Sequence, residues 1–240
     1  MSSLLDRLKI KVFADCADFE SISKGLTIPW VKGFTTNPSL VSKAGVSSYT
    51  EYARKVLQLV PELPLSFEVL SDSPAEMAEE ARIISSWGKN VYVKIPVVNT
   101  EGELQVPLIR ELSADGIALN VTVVCTAAQC AEVARHLNPD VPALISVFAG
   151  RIADAGWDPL PIIEKCRQHL AELPKAELLW ASVREVYNIF QADAAGCQVV
   201  TAPLSMVEKL GTVGKDLTLI SIDGVKAFMA DIKKAGVQFN

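Results

Sequence analysis

The sequence predicts an α/β protein built as a single (β/α)8 barrel of the TIM type, on three observations. Eight short apolar runs recur along the 240 residues, with starts roughly 20 to 35 residues apart, near the ~30 of a strand–helix–strand unit. The stretches between them carry apolar residues at helical spacing. No Pro/Gly/Ser-rich linker, charge block or low-complexity segment interrupts the alternation. Residues 1–240 are therefore expected to form one domain, as chains of ~250 residues do in closed barrels.

The strands are expected at 10–14, 32–35, 65–69, 91–95, 117–121, 143–148, 178–182 and 198–201. The sixth, Ala143-Leu-Ile-Ser-Val-Phe148, is almost wholly apolar, which suits a parallel strand covered on both faces. One helix opens with Ser73 as N-cap, Pro74 in its first turn and acids after it, the chemistry a helix N-terminus favours. Further helices are expected over 126–136, 159–173, 183–195 and 222–236. An open doubly wound sheet is the rival. No G-x-G-x-x-G follows the first strand, and Gly211-Thr-Val-Gly214-Lys215-Asp216 has the wrong glycine spacing for a phosphate loop.

Composition narrows the chemistry. Half the residues are hydrophobic and 21% are charged, which suits a well-buried core. Two His residues cannot make a three-His zinc site, so metal chemistry of that His-ligated type is not expected. His136 and His169 read as helix-terminal side chains. Acid–base work then falls to carboxylates, Lys, hydroxyls or water. The net charge of −5 and the lack of a basic run argue against nucleic acid or anionic membrane as partner. Charge interrupts the first nine residues, and no apolar run nears the ~20 of a membrane span. Cys16, Cys125, Cys130, Cys166 and Cys197 form no C-x-x-C pair. They are expected to be reduced core thiols of a cytoplasmic protein.

In a barrel, reacting groups gather at the C-terminal ends of the strands. Nearly every expected end carries one: Asp15, Asn37, Glu68, Lys94, Asn120 with Thr122, Ser146, Ser182 and Thr201, with Arg151 and Arg184 close behind. Lys94 is one charge inside Asn90-Val-Tyr-Val-Lys-Ile-Pro-Val-Val98. Desolvation there favours the neutral amine, which attacks a ketone to form a Schiff base. The bland alternative is a lysine that snorkels to water or pairs with a carboxylate. Lys11, flanked by Ile10 and Val12, shows the same local signal. Asp15 and Glu68 offer two carboxylates for proton transfer, or else caps and salt-bridge partners. Arg151 and Arg184 can clamp a phosphate through forked hydrogen bonds, or pair at the surface. Asn37, Asn120, Ser146 and Ser182 suit sugar hydroxyls, and equally ordinary caps. Phe148 lies near the expected rim, where core packing and ligand contact are both open.

The segments around these residues closely resemble the transaldolase family. Phe13-Ala-Asp15, Gly33-Phe-Thr-Thr-Asn37-Pro-Ser-Leu40, Tyr92-Val-Lys94-Ile-Pro96, Ser146-Val-Phe-Ala-Gly-Arg151-Ile and Ala181-Ser182-Val-Arg184 carry the likeness. Ala195-Gly196 and Val200-Thr201-Ala-Pro203 extend it. The resemblance implies a barrel of the Schiff-base aldolase class that moves a dihydroxyacetone unit between sugar phosphates. Lys94 would form the imine, and Asp15 would deprotonate the C4 hydroxyl as C3–C4 breaks. Glu68 and Thr122 would hold a water for proton transfer, and no metal and no cofactor are implied. Asn37, Asn120 and Ser182 would orient the dihydroxyacetone part, and Ser146, Arg151 and Arg184 would bind the terminal phosphate.

The same family holds fructose-6-phosphate aldolases, which this chain resembles in length. Glu68 stands where that branch tends to have Gln, Phe148 where it tends to have Tyr, and Asn120 is transaldolase-like. Val147 after Ser146, and Val183 between Ser182 and Arg184, depart from the family's usual Pro and aromatic residue and affect the phosphate end. The alternatives are a lyase using the same lysine and a silent sugar-phosphate-binding barrel. A homo-oligomer is expected, with the C-terminal segment packing on a neighbour or closing its own barrel.

Overall fold

The computed structural model describes residues 5–238. Eight parallel strands close into a barrel in sequence order, with the last pairing back on the first. They are β1 (Lys11–Asp15), β2 (Val31–Thr35), β3 (Leu65–Glu68), β4 (Val91–Pro96), β5 (Leu119–Val124), β6 (Ala143–Val147), β7 (Ala176–Trp180) and β8 (Val199–Pro203). The helices are α1 (Phe19–Leu26), α2 (Pro38–Lys43), α3 (Tyr49–Leu59), α4 (Pro74–Ser85), α5 (Val106–Ala114) and α6 (Ala127–Ala134), then α7 (Ala149–Asp154), α8 (Leu160–His169), α9 (Tyr187–Ala194), α10 (Leu204–Lys209) and α11 (Leu217–Ala235).

Each strand alternates its side chains between two apolar environments. One set, including Phe34, Phe67, Ile95, Ile145 and Val200, joins the continuous core beneath the helices. The other forms a smaller cluster of Phe13, Leu144, Leu179, Ala181 and Val199, with Tyr92 and Phe148 against it. That cluster plugs the barrel and forms the floor of whatever opens above it. Gly33 makes room for the plug, since a Cβ there would lie 2.7 Å from the Phe13 ring.

Helix starts follow capping chemistry. Asp18, Asn37, Ser48, Ser73 and Thr126 accept bonds from first-turn N–H groups, and Thr126 with Gln129 completes a capping box.

Several expected boundaries shift. Phe148 turns the chain out of β6 into α7. Ser182 lies beyond β7 with φ +64°, a left-handed conformation that ends a strand. The chain from Val183 to Val186 precedes α9 instead of belonging to it. The last helix starts earlier than expected because the Asp216 side chain caps the N–H groups of Thr218 and Leu219.

None of the 19 residues of α11 is buried. Leu217, Val225, Phe228 and Met229 are each more than 60% exposed. Among the described residues no helix is long and apolar enough to cross a membrane.

One close approach locks the start of α7 to the β7–α9 connection. A Cβ at Gly150 would stand 1.6 Å from the carbonyl oxygen of Ser182. Backbone on both sides leaves nothing flexible to yield. Gly150→Ala is expected to lower stability by ~3 kcal/mol, the upper end for overpacking, read as a fall in the denaturant midpoint. An unchanged midpoint would show that α7 and this connection are not locked.

Candidate active site

The strand register raises a polar ring directly above the apolar plug. Asp15 pairs with Thr35 across β1–β2, and Glu68 with Lys94 across β3–β4. Lys94 stands beside Asn120 across β4–β5. Two residues along a strand is one step up the same face, so the residues above Phe13, Tyr92, Leu144 and Val199 are Asp15, Lys94, Ser146 and Thr201. They line a cavity of about 460 Å3 at the C-terminal mouth. All eleven candidate residues border it: Lys94, Asp15, Glu68, Thr122, Asn37, Asn120, Ser146, Phe148, Arg151, Ser182 and Arg184.

Lys94 is 6% exposed but not alone. Its Nζ lies 2.9 Å from Glu68 Oε2 and donates to the Thr36 carbonyl at 2.7 Å. The sequence left open a desolvated amine or a lysine paired with a carboxylate; here a carboxylate and a carbonyl take the place of the water around the ammonium. Glu68 is itself fixed: the Tyr49 hydroxyl accepts from the Glu68 N–H and donates to its carbonyl, both at 3.1 Å. Lys11 meets a different fate. It points to the other end of the barrel and pairs with Glu177 in water's reach.

Asp15 sits across the cavity. Thr35 Oγ1 donates to its Oδ1 at 2.8 Å, and Asn37 Nδ2 reaches its Oδ2 at 3.4 Å while Asn37 Oδ1 caps α2. Burial raises the Asp15 carboxyl above the ordinary aspartate value; the Lys94 charge and the Thr35 bond oppose this, and the Glu68 charge adds to it. Burial with the charges of Asp15 and Asp18 pushes the neighbouring Cys16 thiol up to about 12, so Cys16 holds its proton and is no nucleophile. The five cysteines are free thiols, four of them buried.

On the other flank a chain of side chains orders the cavity floor. Ser146 Oγ donates to Asn120 Oδ1 at 2.6 Å, and Asn120 Nδ2 donates to Ser66 Oγ at 3.0 Å. Ser146, which the family resemblance assigns to the phosphate, therefore spends its proton on Asn120. The Thr122 hydroxyl is buried with no partner among the described residues. A buried hydroxyl is costly unless bonded, and Thr122 borders the cavity. Val123, with φ +61°, marks the break in β5–β6 pairing that leaves Thr122 there.

The mouth beside β6 and β7 is cationic. The Arg151 guanidinium lies over the Phe148 ring, 5.0 Å from its centroid, a stacked cation–π geometry. Arg184 presents Nε and Nη2 to Asp154, with contacts of 2.5 to 3.1 Å. That pair holds the Asp154 carboxyl below its usual range. The Nη1 edge of Arg184 makes no bond to Asp154 and is the edge left for a ligand.

A larger hollow of about 580 Å3 lies at the opposite end of the barrel. Its charges are already matched, Arg167 with Glu164 and Glu177 with Lys11. His136 bonds the Glu132 carbonyl and His169 ends α8; neither borders the mouth cavity.

Comparison with known proteins matches residues 12–240 to the model of the transaldolase/fructose-6-phosphate aldolase family. The chain belongs to that family. A probable transaldolase of Dehalococcoides mccartyi is 34% identical over 227 residues, covering 93% of this chain and 98% of the relative. One from Thermoplasma volcanium is 34% identical over 228 residues, covering 94% and 96%. A probable transaldolase 2 of Listeria monocytogenes is 34% identical over 202 residues, covering 84% and 88%. The transaldolase/fructose-6-phosphate aldolase barrel seen here also lines its cavity with Thr35, Lys43 and Val123, none singled out from the sequence. For Thr35 the available signal was a hydroxyl two residues beyond Gly33 on the inward face.

The raised Asp15 carboxyl has a consequence for folding. The native protein keeps that proton to higher pH than the unfolded chain does. This group's stabilising contribution is thus present in acid and is lost as pH rises through the native value. Asp15→Asn abolishes the loss. Its melting temperature relative to the parent is expected to climb from pH 4 to pH 7, and a flat difference would contradict the burial assigned to Asp15.

Proposed function

We propose that this family member is a transaldolase: a single barrel domain that moves a dihydroxyacetone unit from a ketose phosphate to an aldose phosphate through an imine on Lys94. The observation that carries the reading is the buried Lys94–Glu68 pair at 2.9 Å, facing Asp15 across a hydroxyl-lined cavity. An imine needs a neutral amine, and the contact with Glu68 gives the ammonium proton somewhere to go.

The steps follow from the atoms present. Lys94 passes a proton to Glu68 and its lone pair attacks C2 of the ketose. The C2 oxyanion so formed takes a second proton from the nitrogen through a water held by Thr122, giving a hydroxyl. The protonated Glu68 then gives its proton to that hydroxyl, and water leaves as the iminium forms. Asp15 then removes the C4 hydroxyl proton. The C3–C4 electron pair flows into the iminium, the C4 hydroxyl becomes an aldehyde, and an enamine stays on Lys94. Asn120, held by Ser146 and Ser66, and Asn37 and Ser182 bond the dihydroxyacetone hydroxyls. The acceptor aldehyde is attacked by the enamine carbon, Asp15 gives its proton to the new hydroxyl, and water addition releases the product. Arg151 and the free edge of Arg184 hold the terminal phosphate, with Ser146 acting through Asn120.

Transfer is favoured over release because protonating the enamine in place requires an acid close to its carbon, and Phe148 supplies no phenol there. The test is fructose 6-phosphate with and without erythrose 4-phosphate. Aldehyde is expected in quantity only with the acceptor, and Glu68→Gln is expected to slow transfer by ~10² or more. Equal rates without acceptor would make the chain a lyase. A bound ketose phosphate with no turnover would make it a binding barrel.

The homo-oligomer belongs to the same proposal. One chain carries both an apolar helix with no buried residue, α11, and an apolar groove at its root formed by Val186, Phe190, Val213 and Ile220. A second copy supplies the complement of each, a head-to-tail contact that closes rings. Light scattering is expected to give a multiple of the 25.9 kDa chain mass. Phe228→Asp, at a position 69% exposed, is expected to release monomers; a monomeric parent would refute this part.

A further inference from the structure

Asp15 ends a chain of hydroxyls that the steps above leave unused. Thr35 Oγ1 lies 2.8 Å from Asp15 Oδ1, and Thr201 Oγ1 lies 2.6 Å from Thr35 Oγ1. Thr35 is 2% exposed and Thr201 8%, so water does not substitute freely for either partner. These residues come from three adjacent strands, β8, β1 and β2, which the closure of the barrel brings together.

The direction of the chain is set by counting protons. A hydroxyl has one proton to donate, and an ionised carboxylate has none. While Asp15 is ionised, Thr35 must donate to it, so the short contact between the two threonines requires Thr201 to donate to Thr35. Once Asp15 is protonated it becomes a donor in turn. Thr35 can then accept from Asp15 and turn its own proton to Thr201.

We infer that Thr201 and Thr35 form a reversible hydroxyl chain that orients Asp15 as a base and lets it keep the proton it takes from the substrate. This rests on the imine reading proposed above. The balance is simple: Asp15 gains the C4 hydroxyl proton, the C3–C4 electrons pass to the iminium, and the two hydroxyls only rotate. No proton travels along the chain. Thr201 is a positioning residue here, since it touches Thr35 and not Asp15.

The other groups facing Asp15 are few. β4 presents the Lys94 charge and β3 that of Glu68. Cys16, which follows β1, is a neutral thiol, while β2 and β8 face it with Thr35, Thr201 and Pro203, and the N-cap of α2 with Asn37, all uncharged. A change at Thr201 therefore adds or removes no charge near Asp15.

The test is the pH dependence of kcat/KM for transfer from fructose 6-phosphate to erythrose 4-phosphate, using the full chain. The acidic limb reports the free enzyme's base. Thr35→Val removes a bond to the carboxylate and is expected to move that limb up by about one pH unit. Thr201→Val removes only the polarising donor and is expected to move it up by roughly 0.2 to 0.4 units. Thr201→Ser is expected to restore the parent profile. If Thr201→Val does not fold, Thr201→Cys, with its weak donor, is expected to move the limb in the same direction. Reduced activity in Thr201→Val with the limb in place, or no rescue by Thr201→Ser, would overturn the chain while leaving the imine reading intact. A folded parent that does not turn over these sugars would instead overturn the underlying reading, and this inference with it.

Discussion

A lysine ammonium beneath the mouth of an apolar barrel needs a compensating charge, and Glu68 supplies it to Lys94. Removing one partner of such a buried pair typically costs ~3–5 kcal/mol, because the other charge is left stranded. The remainder of the site is arranged around keeping this pair in register. Tyr49 grips both backbone groups of Glu68, and Thr36 offers its carbonyl to Lys94. The parallel pairing of β3 with β4 sets Glu68 directly beside Lys94. The same contact makes the pair chemically useful, since a carboxylate that neutralises an ammonium is also placed to take its proton.

The barrel meets two demands with one alternation. Outward residues such as Phe67, Ile95 and Val121 build the shell core, while inward ones form a plug and then a polar layer. Phe13 lies below Asp15, Tyr92 below Lys94, Leu144 below Ser146 and Val199 below Thr201. The plug closes the barrel below the polar layer, and among the described residues that layer opens at the C-terminal mouth. There Arg151 stacks on Phe148 and Arg184 pairs with Asp154. Gly150 against Ser182 ties α7, which carries Arg151, to the segment that carries Arg184.

The sequence made the barrel legible because its signal is repetitive: apolar runs and capped helices recur at one spacing. Lys94 and Asp15 were legible because each is a charge at the end of an apolar run. That signal alone did not separate Lys94 from Lys11. What separates them is which end of the strand they occupy, and hence whether the partner is Glu68 in the cavity or Glu177 outside it. The roles of Thr35, Thr201 and Ser146 were harder to read, because each is defined by a neighbour across the barrel. Thr201 meets a residue 166 positions away. Asp154 and Gly150 carried no local signal, since only the fold brings them to Arg184 and Ser182. The C-terminal helix was legible as a helix, but its having no buried residue depends on geometry that no periodicity encodes.

The central claim is that Lys94, and not Lys11, Lys43 or another amine, carries the substrate carbon. Borohydride reduction in the presence of fructose 6-phosphate, followed by peptide mapping, tests it most directly. The account requires a reduced dihydroxyacetone or hexose phosphate adduct on the peptide that contains Lys94, and its absence from the Lys94→Met variant. An adduct on a different lysine, or none on the intact chain, would contradict it.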